Sequence, residues 1–186
     1  MHKLGVFALS GSLRTDSFNR KALQIAKRFA EGWGAEVREI DLRELALPIY
    51  DADIEAKGFP ESVNQFKKAI EAADVILIAS PEYNHSIPGG LKNAIDWASR
   101  GENSFDGKVA AIFGASNGLF GTARMQPQLR QTLAALNVFV IPQPQIMIRN
   151  GGEAFNPDGS LKDEKTAALI KKLVERALET ATKLKT

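Results

Sequence analysis

Three times along this chain a short apolar run ends in a polar loop, and each loop opens onto a helix. That recurrence restricts the fold more than any single motif does. The runs are residues 4–9, 75–79 (the most apolar) and 109–113. Short, uniformly apolar runs read as strands covered on both faces, not as half-solvated ones. Helical spacing follows each: Ala22, Leu23, Ala26, Ala30 and Trp33 after the first, residues 91–97 after the second, and Met125, Leu129, Leu133 and Leu136 after the third. Strands at 36–41 and 138–141 and helices at 61–73 and 163–185 complete the alternation. Such a chain is α/β, a five-stranded parallel sheet with helices on both faces, and the connections fit the strand order 2-1-3-4-5. In that order ligands bind beyond the strand C-termini where the order reverses, so the first and third strands flank the site.

The loops at that edge have distinct chemistries. The first, Leu9-Ser10-Gly11-Ser12-Leu13-Arg14-Thr15-Asp16-Ser17-Phe18-Asn19, places hydroxyls, a glycine and one arginine between a strand end and a helix N-terminus. Unpaired backbone N–H groups there carry about half a positive charge, and serine, asparagine and arginine side chains can complete a shell around a phosphate. No Gly-Lys-Ser/Thr follows and the G-x-G-x-x-G spacing is absent, which disfavours a Walker site and a Rossmann dinucleotide site. A plainer reading makes Ser17 a helix cap and the remainder a solvated turn. The second loop, Ser80-Pro81-Glu82-Tyr83-Asn84-His85-Ser86-Ile87-Pro88-Gly89-Gly90, is stiffened by two prolines and suits the presentation of amides and a tyrosine to a flat ligand. The third is Gly114-Ala115-Ser116-Asn117-Gly118-Leu119-Phe120-Gly121-Thr122.

Other chemistries fit less well. Residues 114–118 match G-x-S-x-G, but a hydrolase of that type needs a histidine after its serine, and His2 and His85 both precede Ser116. The Gly-Lys that closes residues 101–108 runs into a strand and not a helix, so it is a turn. Asp51, Asp53 and Glu55 alternate like calcium ligands, yet Ala56 stands where that loop needs glycine, which leaves a solvated acidic turn. His85 reads as a surface or interface residue, and Trp97 and Phe120 as packing residues. With 186 residues, a net charge of +2 and no cysteine, the chain reads as one domain, residues 1–186, without disulfides, thiolate metal sites or a basic face for nucleic acid. It has no apolar stretch long enough to span a membrane and reads as cytoplasmic.

Together the motifs carry a family resemblance. Ser10-Gly-Ser-x-Arg-x-x-Ser-x-Asn19, Pro81-Glu-Tyr-Asn-His-Ser86 with Leu91-Lys-Asn-Ala-Ile-Asp-Trp97, and Ser116-x-Gly-x-x-Gly121 with Arg124-x-Gln126 resemble the NADPH-dependent FMN reductases, in the branch with bacterial quinone and chromate reductases. The resemblance implies a flavodoxin-like three-layer sandwich. It implies FMN with its phosphate on Ser10, Ser12, Arg14, Ser17 and Asn19, its isoalloxazine along Pro81, Glu82, Tyr83 and Asn84, and its far edge or ribityl side near Ser116 and Gly118. It further implies a hydride passed from NADPH, or NADH, through FMN to quinones, chromate, azo compounds or free flavin, in a homodimer or homotetramer with the helices around 91–97 and 124–136 as interface candidates. Thr122, His85 and Gln128 depart from the residues common in the family. A flavodoxin-like electron carrier is the rival reading, but it calls for an acidic docking face that this slightly basic chain lacks.

Overall fold

The computed structural model describes residues 3–185; His2 lies outside them. In chain order the elements are β1 (Gly5–Ser10), α1 (Phe18–Trp33), β2 (Glu36–Ile40), α2 (Leu42–Leu45), α3 (Ala52–Glu55), α4 (Glu61–Glu71), β3 (Val75–Ala79), α5 (Gly89–Ala98), β4 (Val109–Ala115), α6 (Met125–Ala135), β5 (Phe139–Val140), β6 (Met147–Ile148), α7 (Gly151–Ala154) and α8 (Glu164–Leu184). The sheet is parallel in the order β2-β1-β3-β4-β5, the order expected from the sequence. A sixth strand, absent from the sequence reading, joins it: β5 pairs with Val109 and Ala110 at the start of β4, and β6 with Gly114 and Ala115 at its end.

Side chains alternate across the strands, so the two faces bury separate cores. Val6, Ala8, Val75, Leu77, Ala111 and Phe113 pack with α1 and α8 on one face. Phe7, Leu9, Ile76, Ile78, Ala110 and Ile112 pack with α4, α5 and α6 on the other. This two-sided burial is why the central strands read as unbroken apolar runs. The core fixes the strand ends, and through them the loops of the site.

Helix α1 starts at Ser17, whose Oγ accepts from the N–H groups of Asn19 and Arg20, and ends at Gly34, a left-handed cap with φ of 100°. Its buried stripe stops at Ala30; Trp33, expected in that stripe, is half exposed. Trp97 is fully buried, as a packing residue should be, and its Nε1 donates to the Pro48 carbonyl at 2.8 Å, which pins the loop after α2. Phe120 departs from the packing expectation: it is 61% exposed. The acidic turn at 51–55 is α3, a single turn capped by the Asp51 carboxylate. Residues 149–161 contain the single turn α7.

Candidate functional site

Beyond the C-terminal ends of β1, β3 and β4 lies a cavity of about 170 Å³. The loop after β1 contributes Ser12, Arg14, Ser17, Phe18 and Asn19, the loop after β3 contributes Pro81, Glu82 and Tyr83, and the end of β4 contributes Ala115, Ser116 and Asn117. Two glycines permit this convergence. A Cβ on Gly11 would stand 2.6 Å from the Ser80 Oγ and displace that side chain, and one on Gly114 would stand 2.0 Å from the Ser80 carbonyl oxygen and push the strand ends apart.

The first loop braces itself. The Ser10 Oγ accepts from the Ser12 N–H at 3.2 Å, and the Ser12 Oγ from the Arg14 N–H at 3.4 Å. Ser10 is therefore a brace beneath the loop and does not line the cavity. Asn19 does line it, yet its amide is fully engaged: Nδ2 donates to the Ala115 carbonyl at 2.9 Å and Oδ1 accepts from the Ala115 N–H at 2.8 Å, which ties α1 to β4. Ser12, Ser17 and Arg14 remain to meet a ligand. The Arg14 guanidinium lies 5.3 Å from the centre of the Phe18 ring, and among the described residues it has no carboxylate partner. Asp16, two residues on, is bound to Lys21 at 2.7 Å, a hydrogen bond that holds its carboxyl below the ordinary value.

The second loop is a tight hairpin tip. Tyr83 and Ser86 exchange both backbone hydrogen bonds, at 3.1 and 2.9 Å, around Asn84 and His85, which have φ of 49° and 64°. Two successive left-handed residues are the signature of a type I′ turn, an uncommon backbone for a histidine. Gln128 on α6 secures it: its Oε1 accepts from the Ser86 Oγ at 2.7 Å and its Nε2 donates to the His85 carbonyl at 2.6 Å. Asn84 is at the exposed tip, outside the cavity lining. The Glu82 carboxylate turns away from the cavity to α6, where it accepts from the N–H groups of Arg124 and Met125 at 2.9 and 3.0 Å, with the Arg124 guanidinium at 3.5 Å. The one carboxylate among the lining residues is thus already partnered within the chain.

In the third loop the Ser116 Oγ accepts from the Gly118 N–H at 3.3 Å, and Gly118 itself is exposed and outside the lining. Asn117, a lining residue missed from sequence, accepts a hydrogen bond from the Gly152 N–H at 2.9 Å and joins this loop to α7. Phe18, also missed, stacks on Phe155 with ring centres 6.3 Å apart and planes within 6°. The signal for Phe18 was its place inside the polar loop; Asn117 carried none beyond adjacency to Ser116. Leu119, Phe120 and Tyr83 are 72%, 61% and 47% exposed; of these Tyr83 lines the cavity, and the Arg124 guanidinium lies 4.2 Å from the centre of the Phe120 ring. Among the described residues no cluster of metal-ligating side chains occurs, and no helix is long and apolar enough to cross a membrane.

A doubly wound sheet of this strand order, with a donor-rich cavity at its C-terminal edge, defines a flavodoxin-like protein. Comparison with known proteins narrows this further. The NADPH-dependent FMN reductase family matches residues 4–153. The chain is 47% identical over 172 residues to an NAD(P)H-dependent FMN reductase of Pseudomonas aeruginosa, covering 91% of each chain. It is 40% identical to an NAD(P)H:quinone oxidoreductase of Solanum tuberosum, covering 97% of this chain and 94% of that protein. Among solved structures, FerB, a flavoenzyme NAD(P)H:(acceptor) oxidoreductase from Paracoccus denitrificans, superposes with a TM-score of 0.86 at 38% identity, covering 97% of this chain and 98% of FerB. The chain belongs to the NADPH-dependent FMN reductase family, and it is an FMN-dependent oxidoreductase with NAD(P)H as electron donor. These relatives lend no support to an electron carrier that serves protein partners.

Proposed function

We propose that the protein reduces quinones, with its whole length forming one FMN-binding domain and the cavity beyond β1, β3 and β4 as the flavin site. The observation that carries the site assignment is the charge balance of the first loop: Ser12, Ser17 and the unpaired Arg14 converge at the N-terminus of α1, and the one acid of the lining, Glu82, is spent on α6. Donors without an internal acceptor suit a phosphate. In this reading Ser12, Arg14 and Ser17 bind the phosphate of FMN directly, while Ser10 and Asn19 act one step behind, as brace and clamp. Pro81, Tyr83 and the Glu82 backbone, with Asn84 beyond them, border the ring, and Ser116 and Gly118 its far side.

When bound, FMN supplies the hydride chemistry between nicotinamide and acceptor. The chain's part is to fix the ring, keep one face open and aim N–H groups of the second and third loops at the edge where negative charge gathers on reduction. The exposed ring of Tyr83, in the cavity wall, suits a flat aromatic acceptor. Quinones meet that description, as do azo compounds and free flavin; chromate would use only the open face. The reading also assigns the protein to the cytoplasm, where NADPH is held, and to a homodimer or homotetramer formed through α5 and α6, which light scattering tests.

The decisive experiment is an anaerobic NADPH titration followed through flavin absorbance. Rapid bleaching with recovery on adding a quinone is the expected outcome. Bleaching without recovery by any quinone would sink the acceptor assignment, and flavin that stays oxidised would sink the direct reaction with NADPH.

A further inference from the structure

Beside the flavin cavity lies a second one of about 260 Å³, and the two share Arg14 and Tyr83 in their walls. Its other side is formed by Arg43 of α2, Leu13, and Gly89 and Gly90 at the start of α5. No carboxylate lines it. The side-chain hydrogen bond of Arg43 is a long one, 3.4 Å to the Thr15 hydroxyl, and no acid pairs with it among the described residues. Asp41, which accepts from the Arg43 N–H at 2.9 Å, pairs its carboxylate with Arg20. Two guanidinium groups therefore line one cavity without a direct carboxylate partner among the described residues, unlike Arg20 with Asp41 and Arg124 with Glu82.

The α5 end of the cavity adds donors of its own. Pro88 precedes the helix without a side-chain cap, and a Cβ on Gly89 would meet no atom within 4 Å, so the backbone there is open to a ligand. Leu13, 43% exposed, and Tyr83 supply apolar surface next to these charges. Arginines and free N–H groups beside an apolar wall, adjoining a flavin site, match a phosphorylated nucleoside more closely than a bare oxyanion.

We propose that this second cavity receives the 2′-phosphate end of NADPH, with Arg43 as the residue that distinguishes NADPH from NADH. The proposal rests on the flavin-site reading, because it places the donor's tail next to that site. A 2′-phosphate carries between one and two negative charges near neutral pH and offers the oxygens that a guanidinium grips in pairs. NADH has a hydroxyl there and gains nothing from Arg43.

The test uses the FMN-loaded protein and the two nucleotides that differ only in that phosphate. Calorimetric titration with 2′,5′-ADP should show about tenfold tighter binding than with 5′-AMP, a difference that shrinks with added salt because the cavity is open. Arg43→Ala should erase the preference while bound FMN stays at the wild-type level, and Arg43→Lys should retain part of it. Equal affinity for the two nucleotides in the wild type, or a preference that survives Arg43→Ala, overturns the proposal. Loss of FMN in Arg43→Ala also overturns it, by assigning Arg43 to the flavin cradle. A wild-type protein whose bound FMN does not depend on Arg14 overturns the flavin-site reading itself, a result separable from all of these.

Discussion

Helices α1 and α6 both begin at the C-terminal edge of the sheet, and their N-termini are treated in opposite ways. At α6 the chain supplies its own anion: the Glu82 carboxylate, 7% exposed, accepts two backbone N–H groups and faces a guanidinium. At α1 it supplies only the Ser17 hydroxyl and leaves Arg14 without an acid. The same local electrostatics are thus satisfied internally in one place and, in the proposed reading, by a bound phosphate in the other. An anion built into the chain cannot dissociate, whereas one left out must be bound from solution, and folding then becomes linked to that ligand.

Removing the internal anion should have the larger effect. Glu82→Ala leaves two N–H groups of α6 unsatisfied in a closed site and should cost about 2–3 kcal/mol, or roughly 5–10 °C in melting temperature for a domain of this size. A melting curve unchanged from wild type would mean that water replaces the carboxylate at no cost. Arg14→Ala should separate the two ends: FMN affinity falls about ten- to a hundredfold, while the flavin-free protein melts where the wild type does. Equal losses in both measurements would make Arg14 a folding residue.

A smaller effect is expected from the strut between the second loop and α6. Gln128→Ala removes two exposed hydrogen bonds that hold the Tyr83–Ser86 turn, each worth about 0.5–1.5 kcal/mol. Turnover should fall a few-fold with FMN affinity intact; steady-state kinetics beside a flavin titration would show whether the loss lies in the ring's surroundings or in the phosphate grip. The smallest test concerns Asp163, which caps α8 in the open. Its carboxyl accepts from the Thr166 hydroxyl and the Lys165 N–H, and these bonds hold it below the ordinary value of 3.8. A depressed carboxyl stabilises fully above its unfolded value and ceases to do so as pH falls through its folded one. Asp163→Asn keeps a capping oxygen but removes the titration, so acid unfolding below about pH 4 should become less steep.

What could be read in advance depended on how many residues wrote each feature. The strands β1, β3 and β4 are legible because burial on both faces demands apolar residues throughout, and the order of the sheet follows from their alternation with helices. Single turns such as α2, α3 and α7 have no period to detect, and β6, with two residues, is defined by the N–H groups of Gly114 and Ser116 that donate to the Ile146 and Ile148 carbonyls more than by its own composition. In the site, the loops were legible as loops. Glu82 was not legible as a helix cap, because its partner lies 42 residues on, and the same distance hid the Gln128 strut. Phe120 escaped the reading for a related reason: an aromatic in a loop looks the same in sequence whether it packs inward or stands exposed against an arginine.

The divided far edge of the sheet also bears on how copies of this chain can meet. Between the short pairings of β5 and β6 the chain leaves β4 through Pro142 and Pro144, which carry no N–H, and at the opposite border β2 presents Glu36, Arg38 and Glu39. Neither border offers a long, uncharged ladder of free donors and acceptors, the feature that invites one sheet to extend into another. Strand-by-strand growth, ordered or aggregating, is thereby disfavoured at both sides, which fits the proposed association through helical surfaces.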